Sequence, residues 1–247
     1  MSLDITNLIV RFGAFTAVNK VSFHSDTGEV HFLIGANGAG KTTCIDAISG
    51  LVAGEGSVRL DGEEILGTPV HRIARMGIGR TFQTASVFEE LSVLQNLDIA
   101  CGLHRPLRSL WGIRRRTDPR IEEALGMTNL GALVDKQAGA LSHGQKQWLE
   151  IAMLLVQDAK VLMLDEPVAG MSEEERVATG ELLSRVSRDR IVLVVEHDMD
   201  FMRRFATRVT VMNRGEILTE GTVSEIQNHP DVQAIYLGTT ATTTGEA

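Results

Sequence analysis

The sequence predicts an α/β fold, in which buried strands alternate with helices, and three observations support this prediction. An apolar run at 30–34, interrupted only by His31, and continuous apolar runs at 161–164 and 191–195 are typical of parallel strands that are covered on both faces. A glycine-rich segment directly follows the first run and precedes a helical pattern. The chain has 247 residues, which is long enough to bury a full core. We therefore expect one domain over 1–238.

Antiparallel strands are predicted near both ends of the chain. Apolar and polar residues alternate over 3–10 and over 17–24, as they do in strands with one buried face. The segment 57–65 contains the pair Asp61-Gly62, which favours a hairpin turn. The segment 209–218 resembles a second, closing hairpin.

Residues from about 84 to 140 have a different pattern, which predicts a helical insertion. Helical periodicity occurs over 91–100 and 121–133. Between these helices lies a basic segment with Trp111 at its centre. It is either a solvated loop or a contact with a partner or an anionic lipid surface. Its arginines are Arg105, Arg108, Arg114, Arg115, Arg116 and Arg120.

The composition argues against several classes of protein. Lys and Arg number 24 against 32 Asp and Glu, and the net charge of -8 argues against a nucleic-acid partner. The two cysteines, Cys44 and Cys101, indicate no disulfide framework or metal cluster, and we expect both to be buried in a reducing compartment. With no signal segment and no run of about 18 apolar residues, a cytosolic protein is expected unless a partner holds it at a membrane. Residues 239–247 are expected to be a disordered tail.

Residues 35–42, Gly-Ala-Asn-Gly-Ala-Gly-Lys-Thr, have the spacing of a phosphate-binding P-loop. The glycines let successive N–H groups face one anion, and a helix over about 42–49 adds the positive end of its dipole. Lys41 is expected to reach the β- and γ-phosphates of a nucleotide, and Thr42 to hold Mg²⁺. The predicted contacts are Gly35, Asn37, Gly38, Ala39, Gly40, Lys41, Thr42 and Thr43.

Two carboxylates, Asp165 and Glu166, follow the apolar run 161–164. In an open α/β sheet, ligands bind at the carboxyl ends of the strands. Asp165 is therefore a candidate to support Mg²⁺, directly or through water, and Glu166 is a candidate to polarise an attacking water. An acidic pair after a strand can also simply cap the next segment. Its combination with the P-loop favours a nucleotide site.

A second helix start has the features of an anion site. Ser142 and the N–H group of Gly144 open an amphipathic helix that extends to about Gln157, with Gln145 in its first turn. Taken alone, Ser142 is better explained as the N-cap of this helix. Two phosphate-binding helix ends in one chain imply either two ligands or ligands that are each shared between two chains.

Five motifs occur in the order found in the ATP-binding subunits of ABC transporters, and the chain resembles that family over almost its whole length. Besides the P-loop and the Asp165-Glu166 pair, residues 141–145 resemble the ABC signature, Gln83 resembles the Q-loop and His197 resembles the switch histidine. The resemblance implies a RecA-like P-loop NTPase core with an antiparallel β-subdomain and a helical subdomain at about 84–140. It also implies an ATP hydrolase that uses ATP and Mg²⁺.

The resemblance further implies roles for single residues. Glu166 would orient water beside the γ-phosphate, while the imidazole of His197 bonds the phosphate and the water. Gln83 would join or leave the Mg²⁺ shell and report the nucleotide state to a membrane partner. Phe12 falls where the family stacks an aromatic ring on adenine. Phe15 is close by, and either ring could instead belong to the core.

Two positions depart from the family pattern. His143 stands where the signature usually has glycine, so its ring must point away from the partner's γ-phosphate or donate to it. Ser172 occupies the place of the D-loop aspartate, and the sequence Ser-Glu-Glu-Glu at 172–175 is also a capping box. We expect the Ser172 side chain to cap its helix, which leaves signalling between subunits through this position open.

A finer resemblance, on the motifs at 141–150 and 165–171, is to the urea-importer ATPase within the branched-chain amino-acid transporter group, and the ending at 232–238 also suits that group. It implies ATP-driven uptake of urea or a related small amide, with a branched-chain amino acid as the closest alternative. The implied partners are membrane permease subunits, a second ATPase subunit, identical or paralogous, and indirectly a periplasmic or extracellular solute-binding protein. The chain would lie at the cytoplasmic face of the membrane.

Two other classes remain as alternatives. A soluble ABC ATPase of repair or translation usually carries two ATPase halves, a long coiled coil or a zinc insertion, and none of these is visible in the sequence. A P-loop kinase would leave the helix after Ser142 unexplained.

Overall fold

The computed structural model describes residues 1–81, 86–102 and 118–238, which form two β-sheets and the helices around them. The α/β fold predicted from the sequence is confirmed. The strands are β1 (Ser2–Phe12), β2 (Phe15–Asp26), β3 (Val30–Ile34), β4 (Glu55–Leu60), β5 (Glu63–Glu64), β6 (Ile78–Arg80), β7 (Val161–Asp165), β8 (Ile191–Glu196), β9 (Arg208–Asn213) and β10 (Glu216–Gly221). The α-helices are α1 (Lys41–Ile48), α2 (Val70–Arg75), α3 (Val93–Cys101), α4 (Pro119–Thr128), α5 (His143–Val156), α6 (Glu173–Val186), α7 (Met199–Phe205), α8 (Val223–Gln227) and α9 (Pro230–Gly238).

The first sheet is antiparallel, with the strand order β2-β1-β4-β5. The predicted turn at Asp61-Gly62 joins β4 to β5, and both residues have positive φ, 50° and 82°. A two-residue turn with this backbone matches the right-handed twist of the strands it connects. The local sequence therefore defines this hairpin.

The second sheet has the order β10-β9-β3-β8-β7-β6. Strands β9, β3, β8, β7 and β6 are parallel, and β10 pairs with β9 in the antiparallel direction. The predicted closing hairpin is thus present at the edge of the parallel sheet.

Core residues cover both faces of the parallel sheet, which explains the continuous apolar runs. Phe32, Leu162 and Val194 pack in the cluster that contains the apolar sides of α3, α4 and α5. Leu33 and Met163 pack on the other face, against α1 and the first sheet. The carboxyl ends of the strands therefore emerge between two packed layers.

The predicted helical insertion contains α3 and α4 within the described part of the chain. The helix predicted over 121–133 is wrong at its end, because α4 ends at Thr128. Asn129 adopts the left-handed conformation with φ of 57° and ends the α-helix, and residues 131–133 form a short 3₁₀ turn. In the helix predicted over 91–100, the Ser92 side chain caps α3 by accepting a hydrogen bond from the N–H group of Gln95. The helix α3 therefore begins at Val93. The subdomain bounds of about 84–140 stay a prediction.

Some predictions fall on residues outside the described ranges: Gln83, the arginines from 105 to 116 with Trp111, and the tail at 239–247. Arg120 is described, and it pairs with Asp118 at 3.0 Å at the start of α4. Cys44 and Cys101 are both buried, as predicted, and burial raises the pKa of Cys44 to about 12. Within residues 1–81, 86–102 and 118–238, none of the helices is long and apolar enough to cross a membrane.

Candidate nucleotide site

The carboxyl ends of β3, β8 and β7 lie side by side at one edge of the parallel sheet. β8 is hydrogen-bonded between the other two strands, with Ile34 opposite Glu196 and Asp165 opposite Val195. The sheet therefore brings together three segments that are far apart in the sequence. They are the glycine-rich loop after β3, the acidic pair at the end of β7 and the segment around His197 after β8.

The loop between β3 and α1 has a backbone that only glycine accommodates easily. Gly38 and Gly40 have positive φ, 78° and 97°. A Cβ atom on Gly40 would lie 2.5 Å from the carbonyl oxygen of Ala17, so a larger residue is excluded by contact as well. A Cβ atom on Gly35 would lie 2.3 Å from the carbonyl oxygen of Met212. The loop leads directly into α1, whose N-terminus attracts anions.

Lys41, the first residue of α1, directs its ammonium group back into this loop. Its Nζ atom donates to the carbonyl oxygens of Gly35 at 2.8 Å and Ala36 at 3.1 Å. Burial lowers the pKa of Lys41, while the nearby carboxylates, foremost Glu166 and Asp165, act in the opposite direction. A cation is thus held inside the loop, where it can neutralise a phosphate group.

A cleft of about 310 Å³ opens over the loop. Phe15 and Glu166 line it together with the predicted contacts from residue 37 to 43. Phe12 and Phe15 are paired at the tip of the hairpin between β1 and β2, and their side chains are exposed, so neither ring belongs to the core. Phe12, the predicted adenine contact, is not among the described residues that line the cleft. Its role stays a prediction, and Phe15 is the better-placed aromatic ring.

Asp165 ends β7 as a buried carboxylate with two different oxygen environments. Its Oδ2 atom accepts a hydrogen bond from Nη2 of Arg80 at 3.4 Å, and Arg80 also forms an ion pair with Asp46 of α1. Its Oδ1 atom is buried and has no hydrogen-bond partner within the described structure. Burial raises the pKa of Asp165, although the Arg80 guanidinium opposes this shift. A buried carboxylate oxygen without a partner suits a metal ion.

The residues at this edge fit Mg²⁺, which prefers oxygen ligands. Thr42 is exposed in the first turn of α1 and lines the cleft. Asp165 supplies the unpartnered oxygen. Gln83, the third predicted ligand, lies outside the described residues. When bound, the ion would neutralise charge that develops on phosphate oxygens.

Glu166 and His197 lie next to each other beside the cleft. The Nδ1 atom of His197 is 3.3 Å from Oε1 of Glu166. Glu166 has a φ of 49°, which is uncommon for a residue with a side chain, and its N–H group donates to the carbonyl of Val195 at 2.9 Å. Backbone strain of this kind is concentrated at functional sites. The geometry lets a carboxylate and an imidazole act on the same water or phosphate.

Glu196, to which the sequence analysis assigned no role, holds the backbone next to Glu166 and His197 in place. Its buried carboxylate accepts N–H bonds from Val168 at 3.4 Å, His197 at 3.0 Å and Asp198 at 3.3 Å. Burial raises the pKa of Glu196, whereas these hydrogen bonds lower it. The carboxylate thereby ties the loop after β7 to the start of the His197 segment. The sequence signal that could have identified Glu196 is its position directly after an apolar run, which it shares with Asp165.

The second predicted anion site lies on α5, and none of residues 142–145 is among the described residues that line the cleft. Ser142 caps the helix, as predicted: its Oγ atom accepts from the N–H of Gln145 at 3.2 Å, and the Gln145 side chain accepts from the N–H of Ser142 at 3.1 Å. The hydroxyl of Ser142 also donates to Oε1 of Glu175 at 2.9 Å. Ser172 caps α6, as predicted, by accepting from the N–H of Glu175 at 3.2 Å.

Sequence reasoning also assigned no role to Arg80 or to the Glu175 side chain beyond the capping box. A basic residue within the short strand β6 was the only sequence signal for Arg80. The contact between Glu175 and Ser142 joins two helices. Because the two residues are far apart in the sequence, no local sequence pattern predicts this contact.

Comparison with known families supports the same interpretation. The family model described as "ABC transporter" matches residues 18–169, which is more than half of the chain. A second model, described as "Branched-chain amino acid ATP-binding cassette transporter", matches residues 216–242.

Relatives and solved structures match almost the full length of the chain. The high-affinity branched-chain amino acid transport ATP-binding protein BraF of Pseudomonas aeruginosa is 37% identical, over 96% of this chain and 97% of the relative. LivG of Escherichia coli, with the same description, is 36% identical over the same shares. The crystal structure of the ADP conformation of MJ1267, an ATP-binding cassette of an ABC transporter, has a TM-score of 0.84 at 30% identity and covers 96% of this chain and 99% of that chain. The chain therefore belongs to the family of ABC transporter ATP-binding subunits, which bind and hydrolyse ATP and work with membrane permease subunits.

Proposed function

We propose that the chain powers an importer of branched-chain amino acids from the cytoplasmic face of the membrane. The observation that carries the ATP-driven part of this proposal is the cleft that the P-loop and Glu166 line, with His197 3.3 Å from Glu166. The chain would act as a peripheral subunit on a pair of permease subunits. A periplasmic or extracellular solute-binding protein would deliver the solute on the other side.

Each group at the cleft has a physical task in ATP hydrolysis. The P-loop N–H groups and Lys41 would bind the β- and γ-phosphates, and Thr42 and Asp165 would hold Mg²⁺. Glu166 would orient the attacking water, and His197 would bond the γ-phosphate as charge shifts onto it. The 3.3 Å contact between Glu166 and His197 supports a joint action on one reacting group.

The ATP molecule would be shared between two ATPase subunits, which are identical or paralogous. In one chain, the residues that line the cleft within the described structure do not include Ser142 or Gly144. The N-terminus of α5 is nevertheless suited to an anion. Two subunits in a head-to-tail arrangement would place this helix end of one chain against the γ-phosphate bound to the P-loop of the other.

The solute is assigned from the relatives, because the chain itself is not expected to contact it. BraF and LivG are described as branched-chain amino acid transport ATP-binding proteins, and the family model matched at 216–242 is described as a branched-chain amino acid ATP-binding cassette transporter. These names favour the alternative over urea, which rests on the motifs at 141–150 and 165–171 alone and stays a second candidate. The test is ATP turnover of the complex purified with its permeases and binding protein. Stimulation by leucine and not by urea would support the assignment, and the reverse result would restore urea.

The two-chain mechanism is tested with Glu166→Gln. This change keeps the size of the side chain but removes its charge, so ATP turnover should fall by about 10²–10⁴ while ATP still binds. ATP that is not hydrolysed should then hold two chains together. Size-exclusion chromatography with light scattering, with and without ATP and Mg²⁺ at high protein concentration, measures this association.

A second substitution identifies the contact. Adding Ser142→Arg to Glu166→Gln should abolish the dimer, because the larger side chain enters the phosphate site. Glu173→Gln, at an exposed position of α6, is the matched control and should leave the dimer intact. A Glu166→Gln protein that binds ATP and stays monomeric, alone and with its permease, would contradict the shared site.

A further inference from the structure

The carboxylate of Glu175 occupies the helix end at which the proposed function requires a phosphate. Its Oε1 atom accepts the hydrogen bond of the Ser142 hydroxyl at 2.9 Å. A Cβ atom on Gly144 would lie 2.8 Å from the carboxyl carbon of Glu175, so the carboxylate packs directly against Gly144. Ser142 and Gly144 are the residues that should receive the γ-phosphate from a second subunit.

The Glu175 side chain is held in its charged form. The N–H group of Ser172 donates to Oε2 of Glu175 at 3.1 Å. This bond, followed by the bond from Ser142, lowers the pKa of Glu175 below its ordinary value, although partial burial acts in the opposite direction. The positive end of α5 also favours an anion at this position. The group beside Ser142 is therefore a carboxylate anion.

Binding of a phosphate group at the N-terminus of α5 is electrostatically unfavourable while the Glu175 carboxylate lies there. A γ-phosphate that accepted the Ser142 hydroxyl and approached Gly144 would lie at contact distance from the Glu175 carboxylate. Like charges at such a distance repel each other.

We propose that Glu175 is an internal competitor for the phosphate of ATP bound to the second subunit, so that the two-chain site forms only when Glu175 leaves Ser142. This inference rests on the proposed two-chain function. Glu175 regulates how readily the subunits associate, and it takes no part in the chemical step. Because α6 follows the loop after Glu166, the movement of Glu175 links the subunit interface to the catalytic end of β7.

The test is the strength of ATP-driven association after Glu175→Gln. Glutamine at this capping position preserves the fold, since Gln145 already fills the equivalent position in the capping box of α5. All proteins carry Glu166→Gln, so that ATP is retained. Glu174→Gln is the matched control, because Glu174 is exposed in the same helical turn and the change in charge is identical.

Sedimentation equilibrium with ATP and Mg²⁺ gives the dimer dissociation constant for each protein, and thermal unfolding checks that each is folded. Glu175→Gln should tighten the dimer by about tenfold, while Glu174→Gln leaves it unchanged. An unchanged or weaker dimer after Glu175→Gln would overturn the inference but leave the proposed function standing, because the parent still associates. If none of the proteins associates, alone or with its permease, although all bind ATP, the two-chain function and the inference are both overturned.

Discussion

Arg80→Gln is expected to destabilise the fold strongly. The guanidinium of Arg80 is only 7% exposed and lies between the carboxylates of Asp165, which is 3% exposed, and Asp46, which is 24% exposed. Removing the cation leaves the Asp165 charge buried without its counter-ion, whereas water can still reach Asp46. Breaking a buried ion pair from one side costs about 3–5 kcal/mol. We expect a loss near the lower end, about 3 kcal/mol, since glutamine retains hydrogen-bonding capacity.

The expected loss of stability comes from an unbalanced charge rather than from lost packing. Adding Asp165→Asn to Arg80→Gln should restore more than half of the lost stability, so the two changes should be strongly non-additive. Arg59→Gln is the matched control. Arg59 pairs with Glu64 at 3.5 Å on the surface, and its loss should cost at most about 1 kcal/mol.

Urea denaturation without nucleotide or Mg²⁺ measures the free energy of unfolding of these proteins. A loss below about 1 kcal/mol for Arg80→Gln would refute the view that Arg80 balances the buried charge. A double variant as unstable as the sum of the single changes would also refute it, because packing alone would then explain the effect.

Two further predictions concern nucleotide binding and the pH dependence of stability. Phe15→Ala should weaken ATP binding by about 1–3 kcal/mol, because Phe15 lines the cleft and its ring can stack on the base, whereas Phe12→Ala should weaken ATP binding less. Titration with a fluorescent ATP analogue measures the affinity of both variants. A larger loss of affinity for Phe12→Ala would reverse the assignment. The hydrogen bonds of His24 to Asp26 and Asp4, at 2.7 Å each, raise the pKa of His24 above its ordinary value of 6.5. The protonated ring therefore stabilises the fold fully below pH 6.5, and this stabilisation is lost as pH rises through the raised pKa. The stability difference between the wild type and His24→Gln should therefore shrink across that window in denaturation at several pH values, and a constant difference would contradict it.

Local patterns predicted the structures that depend on neighbouring residues. The turn at Asp61-Gly62 and the cap at Ser142 involve atoms within a few positions of one another, and both are present. The end of α4 was missed, because Asn129 stops the helix through its left-handed backbone while the apolar periodicity continues beyond it. Periodicity reports a buried face and does not report the residue at which a helix stops.

By itself, the sequence determined the α/β fold, the glycine-rich loop and the apolar strand that leads into Asp165-Glu166. Apolar runs and turn residues carry this information over short distances. Only the tertiary structure decided which atoms meet, such as Arg80 with Asp165 and Glu175 with Ser142. These contacts depend on the strand order of the sheet and on the packing of helices that are distant in sequence. Local residue spacing in the sequence therefore does not predict them.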